Sequence, residues 1–132
     1  MATPLQPCTI DDLPSTVSPR LLSFSGLQIP VHFRAGSNKT LVIIFHGAVS
    51  REKRQIPFFQ THFSTAFGAH QLSVADPCLA SDQHLSMAWY AGTQDLPLQE
   101  VLPRLFHAVA QRLQVNRVIY FGASSGGFAA LH

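Results

Sequence analysis

Arg117-Val118-Ile119-Tyr120-Phe121-Gly122-Ala123-Ser124-Ser125-Gly126-Gly127-Phe128-Ala129-Ala130-Leu131 is the stretch on which the fold reading turns. Arg117 to Phe121 is β-branched and aromatic with no polar alternation, the pattern of a strand buried on both faces of a parallel sheet. Phe128 to Leu131 opens a helical pattern. Between them Gly122 to Gly126 fits G-x-S-x-G, a turn sharp enough to force Ser124 into a strained backbone conformation. Only very small residues two positions to either side avoid a clash with that serine, a need Gly122 and Gly126 meet. Such a corner presents the Ser124 hydroxyl above the sheet and aims a helix N-terminus at it. The Ser125 amide is then placed to bind negative charge developing on a carbonyl oxygen.

Upstream, Thr40 to Phe45 (TLVIIF) is a second continuous apolar run and predicts another doubly buried strand. It ends at His46-Gly47-Ala48-Val49. Acyl transfer needs a second backbone N–H facing the oxyanion, and a loop after a central strand beside the nucleophile strand can supply it. Its donor would be the amide of Ala48 or Val49, with His46 and Gly47 shaping the loop. Leu21 to Ser25 and Ile29 to Arg34 predict an antiparallel hairpin about Gly26, followed by a turn at Ala35-Gly36-Ser37-Asn38. Ile56, Phe59, Phe63 and Phe67 predict a helix near 57–67, and His70 to Ala75 a weaker strand. The polar, irregular segment from Asp76 to Leu96 has the character of a functional loop or lid. Leu98, Val101, Leu102, Leu105, Phe106, Val109 and Leu113 trace one face of an amphipathic helix that starts near Glu100 or is kinked at Pro103.

FHGAV (45–49) followed by YFGASSGGFAAL (120–131) resembles the α/β-hydrolase superfamily in its oxyanion-loop and nucleophile-elbow segments. The resemblance spans residues 21–132. It implies an α/β fold: an incomplete, mostly parallel hydrolase-type sheet with an N-terminal hairpin and flanking helices. Residues 1–20 would be an extended arm and 21–132 the N-terminal half of the domain. It further implies carboxylesterase-like chemistry on a small-molecule or glycan ester. Ser124 would be the nucleophile, Ser125 with Ala48 or Val49 the oxyanion donors, and His46, Gly47, Gly122 and Gly126 the supporting residues, without metal or cofactor. Asp76-Pro77, Trp89-Tyr90 and Gly92 are more distantly similar to esterase-like proteins of bacterial surface-glycan and accessory secretion systems.

Family members supply an acid and then a histidine after later strands. The sequence runs six residues past Gly126, none of which matches those positions, and His132 on the elbow helix cannot bend back to Ser124. Without a base the hydroxyl stays protonated and is a poor nucleophile. Loss of triad members leaves about 10³ to 10⁴ over water, so the chain alone is expected to be inactive. The alternative is a non-catalytic, truncated hydrolase-like protein that acts only in binding or oligomerisation. Among the other histidines, His46 fits an oxyanion-loop role better than that of base. His32, His62, His70, His84 and His107 read as surface or partly buried side chains. Asp76 stands where ligands approach open sheets, but an Asp before a Pro also forms ordinary turns. Arg51, Lys53 and Arg54 suit an anionic substrate or a solvated surface, and Trp89 and Tyr90 a pocket wall or core packing.

Gly122 to Gly126 also resembles the cofactor loop of short-chain dehydrogenases, but that loop needs a glycine where Phe128 stands, and no lysine follows for a P-loop. The chain has 132 residues, 46% of them apolar, with a net charge of +2, which suits one domain and gives no sign of a nucleic-acid partner. Met1 to Pro19 holds four prolines and no apolar run of signal-peptide or membrane-helix length, so a cytoplasmic location without membrane contact is expected. Cys8 and Cys78 lack metal or disulfide-framework spacing and read as free thiols. With no later strand beside it, RVIYF is expected to form an apolar sheet edge that invites self-association.

Overall fold

The computed structural model describes residues 5–45, 68–75 and 98–122. Six strands and one long helix make up the regular structure there: β1 (Gln6–Cys8), β2 (Arg20–Phe24), β3 (Leu27–Arg34), β4 (Thr40–Phe45), β5 (His70–Val74), α1 (Leu98–Leu113) and β6 (Arg117–Gly122). The strands form a single sheet in the order β1-β2-β3-β5-β4-β6. The helix expected over 57–67, the excursion from Asp76 to Leu96 and the helix expected after Ser124 lie outside the described residues.

The hairpin β2–β3 forms as its pattern predicts. Ser25 and Gly26 have φ of 52° and 77°, the pair of positive values that a two-residue turn matched to strand twist requires. Glycine adopts this freely, whereas Ser25 bears a cost of about 1 kcal/mol. Reversal through that turn makes β3 antiparallel to both β2 and β5, while β1–β2, β4–β5 and β4–β6 pair in parallel. The sheet is therefore mixed and α/β-like. Apolar runs report burial but not strand direction, which is why a mostly parallel sheet was the expectation from sequence.

Residues 5–19 add a short strand and a turn to the sheet and its core. Gln6 to Cys8 pairs with Arg20 to Leu22, and a 3-10 turn over Leu13–Ser15 follows. Cys8 and Leu13 are buried in the main core with Leu22, Ile29, Val31 and Phe33. These apolar residues stand singly between prolines and acids, so no periodicity announces them. The Arg112 guanidinium lies 3.3 Å from the Asp11 carboxylate and ties this segment to the end of α1.

The helix runs unbroken through Pro103, and its register buries Leu98, Val101, Leu102, Leu105, Phe106 and Val109 against one face of the sheet. Pro103 is exposed, as is Gln99. The Gln99 carbonyl, left without its helical donor by the proline, can turn to water, so the helix tolerates a residue that would break it on the buried side. At the C-terminus Gln114 takes a positive φ of 57° and the Val115 N–H donates to the Ala110 carbonyl at 3.2 Å, a Schellman closure. On the opposite face Val42, Ile44 and Ala69 form a second apolar cluster. β4 is thus buried on both faces, as TLVIIF predicts.

The edge of the sheet from which β4, β5 and β6 start is sealed by backbone. The Ser37 and Asn38 N–H groups donate to the Gly68 carbonyl at 2.7 and 3.1 Å, and those of Asn116 and Arg117 to the Lys39 carbonyl at 2.9 and 3.3 Å. The Gly36 N–H donates to His70 Nδ1 at 3.0 Å. A methyl group on Gly36 would collide with the backbone of Gly68 and Ala69. Gly36→Ala is accordingly expected to destabilise the fold by about 3 kcal/mol, since neither backbone can move without breaking these bonds. Urea unfolding monitored by circular dichroism checks this, and an unchanged midpoint would contradict the packing described.

Candidate functional site

The opposite edge is where the strands finish. In the parallel register Phe45 stands beside Val74 on one side and Gly122 on the other. The carboxyl ends of β4, β5 and β6 therefore lie at one edge of the sheet. The chain passes from β4 to β5 on one flank and then crosses to β6 on the other. Strand order reverses at β4, and open α/β sheets bind ligands outside the carboxyl ends of strands at such a reversal.

Aromatic packing holds β4 and β6 together at this edge. The Phe45 and Tyr120 rings stack with centroids 6.4 Å apart, and Phe106 of α1 meets Phe45 edge-on at 5.8 Å and Tyr120 at 6.0 Å. Tyr120 lies beside Ile43 and so shares the α1 face. The three rings join strand, strand and helix just below the point where both motif segments depart. Sequence reading assigned these residues to their strands and helix but not to each other, because nothing in local spacing reports a contact between positions 45, 106 and 120.

Of the candidate site residues, Gly122 is described: it closes β6, partly buried, beside Phe45. Ser124, Ser125, Gly126, His46, Gly47, Ala48 and Val49 lie outside the described residues. So do Arg51, Lys53, Arg54, His62, Asp76, Cys78, His84, Trp89, Tyr90, Gly92 and His132.

His107 is exposed on α1, while His32 and His70 are partly buried. His70 serves the sealed edge: its Nδ1 accepts the Gly36 N–H, which requires an unprotonated Nδ1, and its ring stacks on Phe33 at 5.9 Å. It stands at the far end of β5 from the candidate site. His32 pairs in register with Ser73, one residue from the carboxyl end of β5. With Arg34, Gln71 and Ser73 it makes a polar row on the face of the sheet away from α1. Gln71 and Ser73 are almost fully buried there. The alternation in His70-Gln71-Leu72-Ser73-Val74 is the signal for this row, and it reads as a half-exposed strand until β3 and β4 are known to flank it.

Cys8 is a buried free thiol. Burial raises its thiol above the ordinary range, Arg20 partly offsets this and Asp12 adds to it, so the thiolate is scarce. Among the described residues no group of three or more His, Cys, Asp and Glu is placed to hold a metal ion, and no helix is long and apolar enough to cross a membrane. Comparison with known protein families, characterised proteins and solved structures finds no match to this chain.

His32 supplies a pH signature. Burial lowers its pKa, and the Arg34 guanidinium pushes in the same direction. The unfolded chain then binds a proton near pH 6.5 that the folded chain refuses until lower pH, so the folded state loses stability as pH falls below about 6.5. His32→Gln is expected to flatten this part of the stability profile. Urea midpoints at pH 7.5 and 5.5 for both proteins test it, and an equal drop in the two would remove His32 as its source.

Proposed function

We propose that residues 21–132 are the N-terminal half of an α/β-hydrolase-type domain in which Ser124 attacks an ester-like acyl group. The observation that carries the reading is the β4–β6 register, in which Phe45 stands beside Gly122. Two short segments with complementary chemistry, FHGAV and FGASSGG, leave adjacent parallel strands at the same level.

The proposed chemistry follows from what each group can do. The Ser124 oxygen adds to the acyl carbon while its proton passes to a base, and the carbonyl oxygen gains the electron pair of the opened π bond. The Ser125 N–H and the N–H of Ala48 or Val49 would stabilise that oxyanion, and removing one such donor typically costs about 10² to 10³ in kcat. Collapse of the adduct releases the alcohol and leaves an acyl-serine, which water then cleaves. His46, Gly47, Gly122 and Gly126 shape the two loops. The base and its acid partner are assigned to no residue between Met1 and His132, and the proposed mechanism needs neither metal nor cofactor. A small-molecule or glycan ester suits the reading, as does a cytoplasmic setting in which Cys8 stays a buried free thiol.

One observation favours a second reading, a hydrolase-like protein that binds without catalysis: β6, the strand that carries the serine corner, is the outermost strand of the described sheet. The two readings separate on covalent reactivity. In the protein encoded by its complete reading frame, a fluorophosphonate probe is expected to label Ser124, and Ser124→Ala to abolish the label. Peptide mapping by mass spectrometry decides. Label at another residue, label that survives the substitution, or none at all would each overturn the nucleophile assignment.

A further inference from the structure

The connection from β3 to β4 is held down by a titratable side chain. The Gly36 N–H donates to His70 Nδ1 at 3.0 Å, a partly buried bond between residues 34 positions apart. His70 is the first residue of β5, and its ring stacks on Phe33 with the two planes 18° apart. That stack fixes the plane of the imidazole and keeps Nδ1 aimed at the turn. The Ser37 and Asn38 N–H groups donate to the Gly68 carbonyl. Gly68 and His70 thus supply the acceptors for three successive N–H groups of the turn.

An imidazole nitrogen accepts a hydrogen bond only when it carries no proton, so the closed turn holds His70 as the Nε2–H tautomer. A charged ring donates from both nitrogens. Its Nδ1–H and the Gly36 N–H would be two donors face to face, and one of them must leave. The other bonds of this edge join backbone groups and do not titrate.

We infer that His70 is a proton-operated latch, closed on the β3–β4 turn when the ring is neutral and released when it is charged. The latch is independent of the hydrolase reading, since it uses the opposite edge of the sheet. Closure keeps a proton off Nδ1, so the open turn binds that proton more readily and acid favours opening. Histidine ordinarily changes charge between about pH 5 and 8, which puts release in mild acid. The charged groups on the elements around the ring are Arg34 at the end of β3, Lys39 before β4, Arg117 at the start of β6 and Arg112 in the last turn of α1. All four are cations, so none of them can pair with a charged ring. Of the described acids, Asp11 is engaged by Arg112, Asp12 by the Thr9 hydroxyl, and Glu100 lies in the first turn of α1. His32 is on the opposite face of the sheet and His107 is exposed on α1. The turn leads directly to Lys39, whose carbonyl accepts the Asn116 and Arg117 N–H groups, so the latch stands beside the anchor of β6.

Amide hydrogen exchange read by NMR at pH 7.5 and 5.0, divided by the intrinsic rate at each pH, tests the latch. Protection of the Gly36 amide is expected to fall about tenfold at the lower pH, the worth of one hydrogen bond, in step with the charging of the His70 ring nitrogens. His70→Asn puts an oxygen where Nδ1 stands and takes up no proton, so it should keep Gly36 protected at both pH values. His70→Leu should lose that protection at both. His32→Gln should leave the wild-type fall in place. Gly36 protection that is unchanged down to pH 5.0 would overturn the inference, as would a fall that persists in His70→Asn. A neutral Nδ1–H tautomer at pH 7.5, read from the ring nitrogen shifts of the wild-type protein, would refute it without any substitution.

Discussion

The arrangement depends on β4 being paired in parallel on both sides. A strand in that position must be apolar on both faces, because each face is covered and every backbone group is committed to a neighbour. TLVIIF meets the requirement, and its burial aligns the ends of three strands: Phe45 beside Val74 and Gly122. A register slip of one residue would turn Leu41, Ile43 and Phe45 out of the main cluster and break the packing against α1. The same slip would misalign the two segments proposed to share an oxyanion. Core packing and the proposed chemistry thus rest on one alignment, held at its start by the Lys39 carbonyl and near its end by the rings of Phe45, Phe106 and Tyr120.

What the sequence disclosed follows the range of the interactions involved. The strands at Thr40–Phe45 and Arg117–Gly122, the hairpin about Gly26 and the helix face from Leu98 to Val109 were legible because each is set by residues a few positions apart. Pro103 misleads about the start of α1, since its cost depends on whether the freed Gln99 carbonyl meets water or core, and local sequence does not carry that. β1 and the Leu13 turn stay hidden for a related reason: their burial comes from a pairing with Arg20 to Leu22 that no periodicity signals. The proposed site is a reading of the motifs FHGAV and FGASSGG. Their common edge becomes visible only through strand order, a property of the whole sheet.

Polarity is distributed over the sheet with a consequence for what its two faces do. The α1 face contains most of the apolar core. The other face carries Val42 and Ile44 beside the row of His32, Arg34, Gln71 and Ser73, with Gln71 and Ser73 nearly excluded from water. Burying such groups is costly unless they are hydrogen-bonded, so a row of them fixes the local arrangement more tightly than an apolar surface of equal size would. The row runs along β3 and β5 toward the edge where Val74 ends. His32 lies on it, which places a pH-sensitive element of stability next to the strand ends that the proposed chemistry requires to stay in line.

A strained corner persists only where its surroundings over-determine it, because the backbone would otherwise relax at a gain of one to several kcal/mol, on the order of 1–3. In the proposed reading that corner follows Gly122, so the rigidity of β6 sets how well Ser124 can be held. Support on one side is visible: ladder bonds to β4, the Lys39 carbonyl at the start of the strand, and Tyr120 packed between Phe45 and Phe106.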